Sequence, residues 1–330
     1  MPRPALLIAI LAARLLWGAR IEQIAGGGEG QPGQPPRQLR LIEPFGVDFD
    51  PSGNWYIIEF AGNRLLRVTP KGATSLLAGP ELKEPHGIAI TRSGQLFIAD
   101  THHNRIARLD LKSSALSSFA GTGEAGFSGD GGPAESATFN GVFAIALDPA
   151  QRNLYVADLT NRRVRRIELA TRVMSTVAGN GKSAVPADGA LAAENPLMDP
   201  RAVAADAQGN VYILERNGNA LRRVDPSGHI KTVIAPGQIT PDLKGPKHLC
   251  TDSKGRVIIA DAENHLVRLY EPSSGQTRSI AGTGTAGDTI VAEDPLRTQL
   301  RRPHGVSIAP DGALIITDSY NHRILRLSGY

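Results

Sequence analysis

The stretches PHGIAITRSGQLFIADTHHNRIARL (Pro85–Leu109) and PHGVSIAPDGALIITDSYNHRILRL (Pro303–Leu327) are two copies of one pattern. Each opens on Pro-His-Gly and runs along an apolar strand to a Gly turn. A second apolar strand then ends on Asp, and a polar turn with Asn leads into a third strand carrying Arg. Four further copies lie between and before them: PFGVDFDPSGNWYIIEFAGNRLLRV (Pro44–Val68), VFAIALDPAQRNLYVADLTNRRVRRI (Val142–Ile167), PRAVAADAQGNVYILERNGNALRRV (Pro200–Val224) and PKHLCTDSKGRVIIADAENHLVRL (Pro246–Leu269). Self-similarity at this period marks an array of small sheets, none of which can bury its apolar face alone.

Within each copy the second strand ends on an acid: Glu59, Asp100, Asp158, Glu215, Asp261 or Asp318. Eight residues later stand Arg67, Arg108, Arg166, Arg223 and Arg326, while the shorter fifth copy offers Arg268. The constant even offset predicts acid and Arg on one side of a hairpin. Asn63, Asn104, Asn161, Asn219, Asn264 and Asn321 lie in the intervening turns and are expected to take the left-handed conformation there. A fourth strand follows every copy but the last, as in TSLLAG, SSFAGTG, STVAGNG, KTVIAPG and RSIAGTG. The missing one is RIEQIAGGG, at Arg20–Gly28. Pairing it into the sixth sheet would satisfy two bare edges and close a ring. The expected fold is all-β, a six-bladed β-propeller over residues 20–330, closed by the N-terminal strand.

The repeats, together with linkers such as AGTGEAGFSGDGGPAESATFN (Ala120–Asn140), resemble those of bacterial, secreted NHL-repeat propellers over Arg20–Tyr330. The resemblance implies a ligand- or protein-binding module. It also raises an alternative, a propeller lyase or hydrolase related to the peptidyl-hydroxyglycine amidating lyases. In those lyases three His of Pro-His motifs on alternate blades hold zinc. Pro85-His86 and Pro303-His304 match two of these positions, but the third is Pro200-Arg201. Zinc sites take at least three protein ligands, so no metal and no other cofactor is expected.

Residues 1–19 read as a secretory signal: Arg3 gives a basic start, Ala5–Ala13 an apolar run, and Gly18-Ala19 a small-residue end. That run is too short to span a bilayer, so no membrane span is expected. The expected location is secreted or periplasmic, and the expected state a monomer. The single cysteine, Cys250, excludes an intramolecular disulfide framework and reads as a buried small side chain rather than a nucleophile. Net charge is +4, and two of those charges, Arg3 and Arg14, lie in the leader. Arg162, Arg163, Arg165 and Arg166 form the densest basic run, but strand alternation sends them to two sides and no aromatics interleave. No nucleic-acid partner is expected. The Gly-rich run Gly126–Gly132 lacks the Lys-Ser/Thr of a phosphate loop and the repeated Asp of an EF-hand, and reads as a structured turn.

The inter-blade loops 121–140, 179–199 and 282–302 are long, and binding usually resides on long loops carried by a rigid scaffold. They are expected on the face of the acid-Asn turns. The residue after each opening position should ring the mouth of the axial channel on that face: Phe45, His86, Phe143, Arg201, Lys247 and His304. Two imidazoles, two cations and two aromatic faces suit an anionic or flat ligand. The expected partner is an anionic small molecule or a protein of unknown identity. Asp48 is the one acid on a first strand before its turn, and no aligned acid partners it.

Overall fold

The computed structural model describes residues 18–330. The leader expected at 1–19 lies outside the described residues, apart from Gly18 and Ala19. Among the described residues no helix is long and apolar enough to cross a membrane.

Among the described residues twenty-four strands form six antiparallel four-stranded sheets; five keep their strands in chain order, and the sixth adds the N-terminal strand beside the last strand of the chain. The innermost strands are Pro44–Phe49, Gly87–Ile90, Val142–Leu147, Pro200–Ala205, His248–Thr251 and Gly305–Ile308. Each touches the innermost strand of the next sheet, and the last touches the first, so the sheets close into a ring. The molecule is a six-bladed β-propeller. Arg20–Gly26 pairs antiparallel with the outer strand Arg323–Ser328 of the sixth blade, from Arg20 opposite Ser328 to Gly26 opposite Arg323. Its Ile21 and Ala25 are completely buried, and the expected closure is what the chain does.

Alternating side chains put apolar rows between neighbouring blades. Ile57, Leu66 and Val47 of blade one pack with Ile315 and Ile324 of blade six, and equivalent clusters follow around the ring. In four blades the outermost strand ends on Ala-Gly, at Gly26, Gly121, Gly179 and Gly282, because the Gly is left-handed and pressed against the backbone of the preceding turn. At Gly179 φ is +90°, and an added Cβ would stand 2.1 Å from the Arg162 carbonyl oxygen. No L residue fits such a position without displacing backbone.

The six buried acids are structural, but their partners differ from the expected ones. Glu59 lies directly across from Arg64, Asp100 from Arg105 and Asp318 from Arg323, five residues on. A four-residue turn therefore puts same-face partners at odd offsets, and an offset of eight falls on the other face. The ion pairs are Glu59–Arg64, Asp100–Arg105 and Asp318–Arg323 at offset five. Those at offset seven are Asp158–Arg165, Glu215–Arg222 and Asp261–Arg268. Of the Arg set expected in these pairs, only Arg268 belongs; Arg67 and Arg223 instead lie opposite Tyr56 and Tyr212.

The other carboxylate oxygen of each acid accepts a backbone N–H from the loop entering its own blade: Ile42, Lys83, Asn140, Met198, Lys244 or Arg301. Each acid thus ties its outer hairpin to the start of its own innermost strand.

The turn Asn residues divide into two kinds. Asn63, Asn104 and Asn219 are left-handed, as expected, and their side-chain oxygens accept N–H from Glu84, Gly141 and Gly245 of the next blade. Asn161, Asn264 and Asn321 are not; Arg162, His265 and His322, one place later, take the positive φ. These three Asn donate instead to their blade's acid and to a loop carbonyl: Gly126, Asp242 or Gly287. Every blade is thereby fastened by its acid-Asn turn, on the face that carries the inter-blade loops.

Candidate functional site

Five of the six ring residues form a continuous run of contacts, and Lys247 lies within electrostatic reach of Arg201 and His304. His304 stacks on Phe45 at 4.2 Å between centroids, Phe45 meets His86 edge-on at 5.2 Å, and His86 meets Phe143 at 4.5 Å. The Arg201 guanidinium lies 4.5 Å from the centre of the Phe143 ring. All but Phe143 are buried, between 5 and 9% exposed, so they form a plug across the axis rather than an open rim.

Sequence reasoning missed the contributors from the turns after the second strands. Phe60 stacks on Phe45 at 4.5 Å, and Tyr320 stacks on His304 at 5.6 Å. Arg216 occupies the corresponding turn of blade four and is exposed. Phe60 and Arg216 directly follow their blade's acid and Tyr320 follows one place later, so the column after the acid was the signal. One half of the mouth is therefore aromatic and the other cationic.

In the cationic half, Arg201 is 5% and Lys247 9% exposed. Among the described residues neither has a carboxylate within ion-pair distance, and the nearest acceptor for Arg201 is the Phe143 carbonyl oxygen at 3.5 Å. Burial, reinforced by Arg216, pulls the Arg201 guanidinium down to about 9, so it stays charged at neutral pH. Burial, then the charges of Arg201 and Arg216, brings the Lys247 ammonium down to about 7. Asp199 is buried, and its own burial holds its carboxyl above the usual range, against the pull of Arg216 and Arg201. Glu263 acts on Lys247 but is also engaged with Arg302 at 3.8 Å. Four cations thus share two acids.

Both imidazoles are fixed through Nδ1. His86 Nδ1–H donates to the Glu84 carbonyl at 3.0 Å and the Thr101 hydroxyl at 2.9 Å. The Thr101 hydroxyl in turn donates to the Val142 carbonyl. His304 Nδ1–H donates to the Arg302 carbonyl at 2.9 Å. Burial, together with Arg201, holds both rings far below the ordinary imidazole range and hence neutral. Each Nε2 is then left as a lone-pair acceptor.

A zinc site of the lyase kind does not fit. Phe45 stands between the two imidazoles, stacked on His304 and edge-on to His86, and Arg201 places a cation where a third ligand would stand. Among the described residues no three His, Cys, Asp or Glu side chains are grouped to hold a metal ion.

Two arginines of the basic run on blade three, Arg163 and Arg165, are spent on packing, while Arg166 is exposed. Arg163 lies 3.6 Å over the Phe127 ring, and fully buried Arg165 donates to Asp130 at 2.8 Å and to the Ser128 carbonyl at 3.0 Å. Asp130 also accepts from the Thr176 hydroxyl at 2.6 Å, so the Gly126–Gly132 run is a turn clamped to its blade.

Beneath the plug lies a chamber of about 400 Å³, open on the face opposite the loops. Cys250 lines it, half-buried rather than buried, and burial holds its thiol well above the usual range. That thiol stays protonated, which fits an inert side chain.

This ring with its plugged mouth defines a six-bladed propeller with a mixed aromatic and cationic entrance. The NHL-repeat model matches residues 82–109 and 300–327, and the teneurin NHL domain model matches residues 145–254. The chain is an NHL-repeat propeller. It is similar to the chloroplastic protein SUPPRESSOR OF QUENCHING 1 of Arabidopsis thaliana, 29% identical over 81% of this chain and 28% of that protein. NHL repeat-containing protein 2 of Gallus gallus is 24% identical over 86% of this chain and 46% of that protein. The chain thus spans less than half the length of these curated relatives. Among solved structures, an auxiliary nutrient binding protein from Bacteroides thetaiotaomicron superposes with a TM-score of 0.69 at 14% identity, over 94% of this chain and 76% of that one. At that identity the likeness establishes the fold.

Proposed function

We propose that the protein is a binding module whose loop-face mouth takes the carboxylate of a flat or partly aromatic ligand. The observation that carries this reading is the pair Arg201 and Lys247, adjacent in the ring, both at least nine-tenths buried, and without an ion-pair partner among the described residues. Two like charges held close in a desolvated site raise each other's energy, and an incoming anion relieves both. Phe60 and Phe143, the less buried aromatics of the mouth, offer apolar faces to the rest of the ligand. The Nε2 atoms of His86 and His304 accept from any O–H or N–H it carries.

Benzoate serves as the probe because its carboxylate stays ionised throughout the range in which Lys247 titrates. Lys247 loses its charge as pH rises through about 7. Benzoate affinity, measured by calorimetry, is therefore expected to fall about tenfold between pH 6 and pH 8.5. Lys247→Ala should flatten that dependence. A pH-independent affinity in the parent protein would remove Lys247 from the site.

A further inference from the structure

The chamber under the plug has a polarity of its own. One step below the ring, the innermost strands carry Gly46, Gly87, Ala144, Ala202 and Gly305, with His248 as the single large side chain of that layer. Space explains the small residues: a Cβ on Gly305 would stand 2.2 Å from the Phe45 carbonyl oxygen. Two residues further down, blades two, three and four present Ala89, Ala146 and Ala204. Blades five, six and one present Cys250, Ser307 and Asp48, and all six side chains line the chamber. An alanine arc therefore faces a polar arc, with a carboxylate at one end.

Asp48 accepts the Phe49 N–H at 2.8 Å and, across the blade boundary, the Ile90 N–H at 2.7 Å. Among the described residues no Lys, Arg or His lies within ion-pair distance of it. Arg92, at the open rim, donates to the Pro149 carbonyl at 2.8 Å. His248 accepts the Val306 N–H on Nδ1 at 3.5 Å, which leaves the proton on Nε2 and the ring neutral. Burial pushes the Asp48 carboxyl up to about 7, the cost of a carboxylate in an apolar wall without a counter-ion. A chamber of this volume, mostly apolar with a few polar groups at one side, matches a small-molecule site.

We propose that this chamber is a second ligand site, which takes a small organic amine from the face opposite the loops. Its ammonium pairs with Asp48 and bonds the Ser307 hydroxyl, and its hydrocarbon body lies on the alanine arc. The plug separates this site from the mouth above, so the two ligands are bound independently and are opposite in charge.

Cyclohexylamine is the probe, titrated calorimetrically at pH 8 into the full chain, with cyclohexanol and cyclohexanecarboxylate as controls. Saturable binding of the amine alone is expected. Asp48→Asn should weaken it at least about tenfold, the loss of a charge-assisted bond. Ala204→Leu fills the chamber from the far wall without touching Asp48, and should abolish binding even where Asp48→Asn fails to fold. No saturable heat at millimolar amine, or parent-like affinity in either variant, would overturn the proposal.

Discussion

A chain lacking Arg20–Ala25 is expected to aggregate on expression or to melt at least about 10 °C below the parent. The segment supplies the outer strand of blade six, and without it Arg323–Ser328 becomes a bare edge with unpaired N–H and C=O groups. Burial of Ile21 alone is worth about 2–3 kcal/mol, and Ala25 is lost from the core shared with blade one. The backbone bond from Ile21 N–H to the Ala292 carbonyl, which holds the loop between blades five and six, goes as well. Melting followed by circular dichroism, with size-exclusion chromatography on the same samples, reads both outcomes. A truncated protein as stable and monodisperse as the parent would mean that the ring does not depend on this strand.

Asp261→Ala is expected to destabilise the protein by about 3–5 kcal/mol. The carboxylate is fully buried, accepts from the Lys244 N–H and the Asn264 side chain, and pairs with Arg268 at 3.0 Å. Its removal leaves a guanidinium that is 3% exposed without its counter-charge. Arg166→Ala, an exposed position at the offset of eight, should change stability by no more than about 0.5 kcal/mol. Denaturant melts of the two variants separate the true pairing from the one the repeat suggests. Equal losses would show that the odd-offset pairs carry no special weight.

The contrast between Asp261 and Arg166 shows where sequence reading stopped. Strand count, blade order and ring closure were legible because apolar alternation and turn chemistry repeat six times, and because the chain ends complement one another. Pair identity was not legible, since it hangs on turn parity: one residue more or fewer between acid and Arg moves the Arg to the opposite face. In the same way Asn161, Asn264 and Asn321 pass the left-handed position to the next residue, a choice set by loop carbonyls distant in sequence. The ring members followed from aligning the copies. Their packing into a plug did not, because it depends on Phe60 and Tyr320 arriving from neighbouring turns. The chamber was half visible, as a column of Gly and Ala broken by His248 and a lone acid at Asp48.

The central claim, that the mouth is an anion site built on Arg201 and Lys247, is tested most directly by the Arg201→Ala, Lys247→Ala double variant. Neither cation has an ion-pair partner to strand among the described residues, and removing two crowded like charges relieves their repulsion, so the melting temperature should stay within a few degrees of the parent. Calorimetric titration with benzoate at pH 6 should then give saturable binding for the parent and none for the double variant. Parent-like affinity in a folded double variant, or no binding by the parent, would contradict the account.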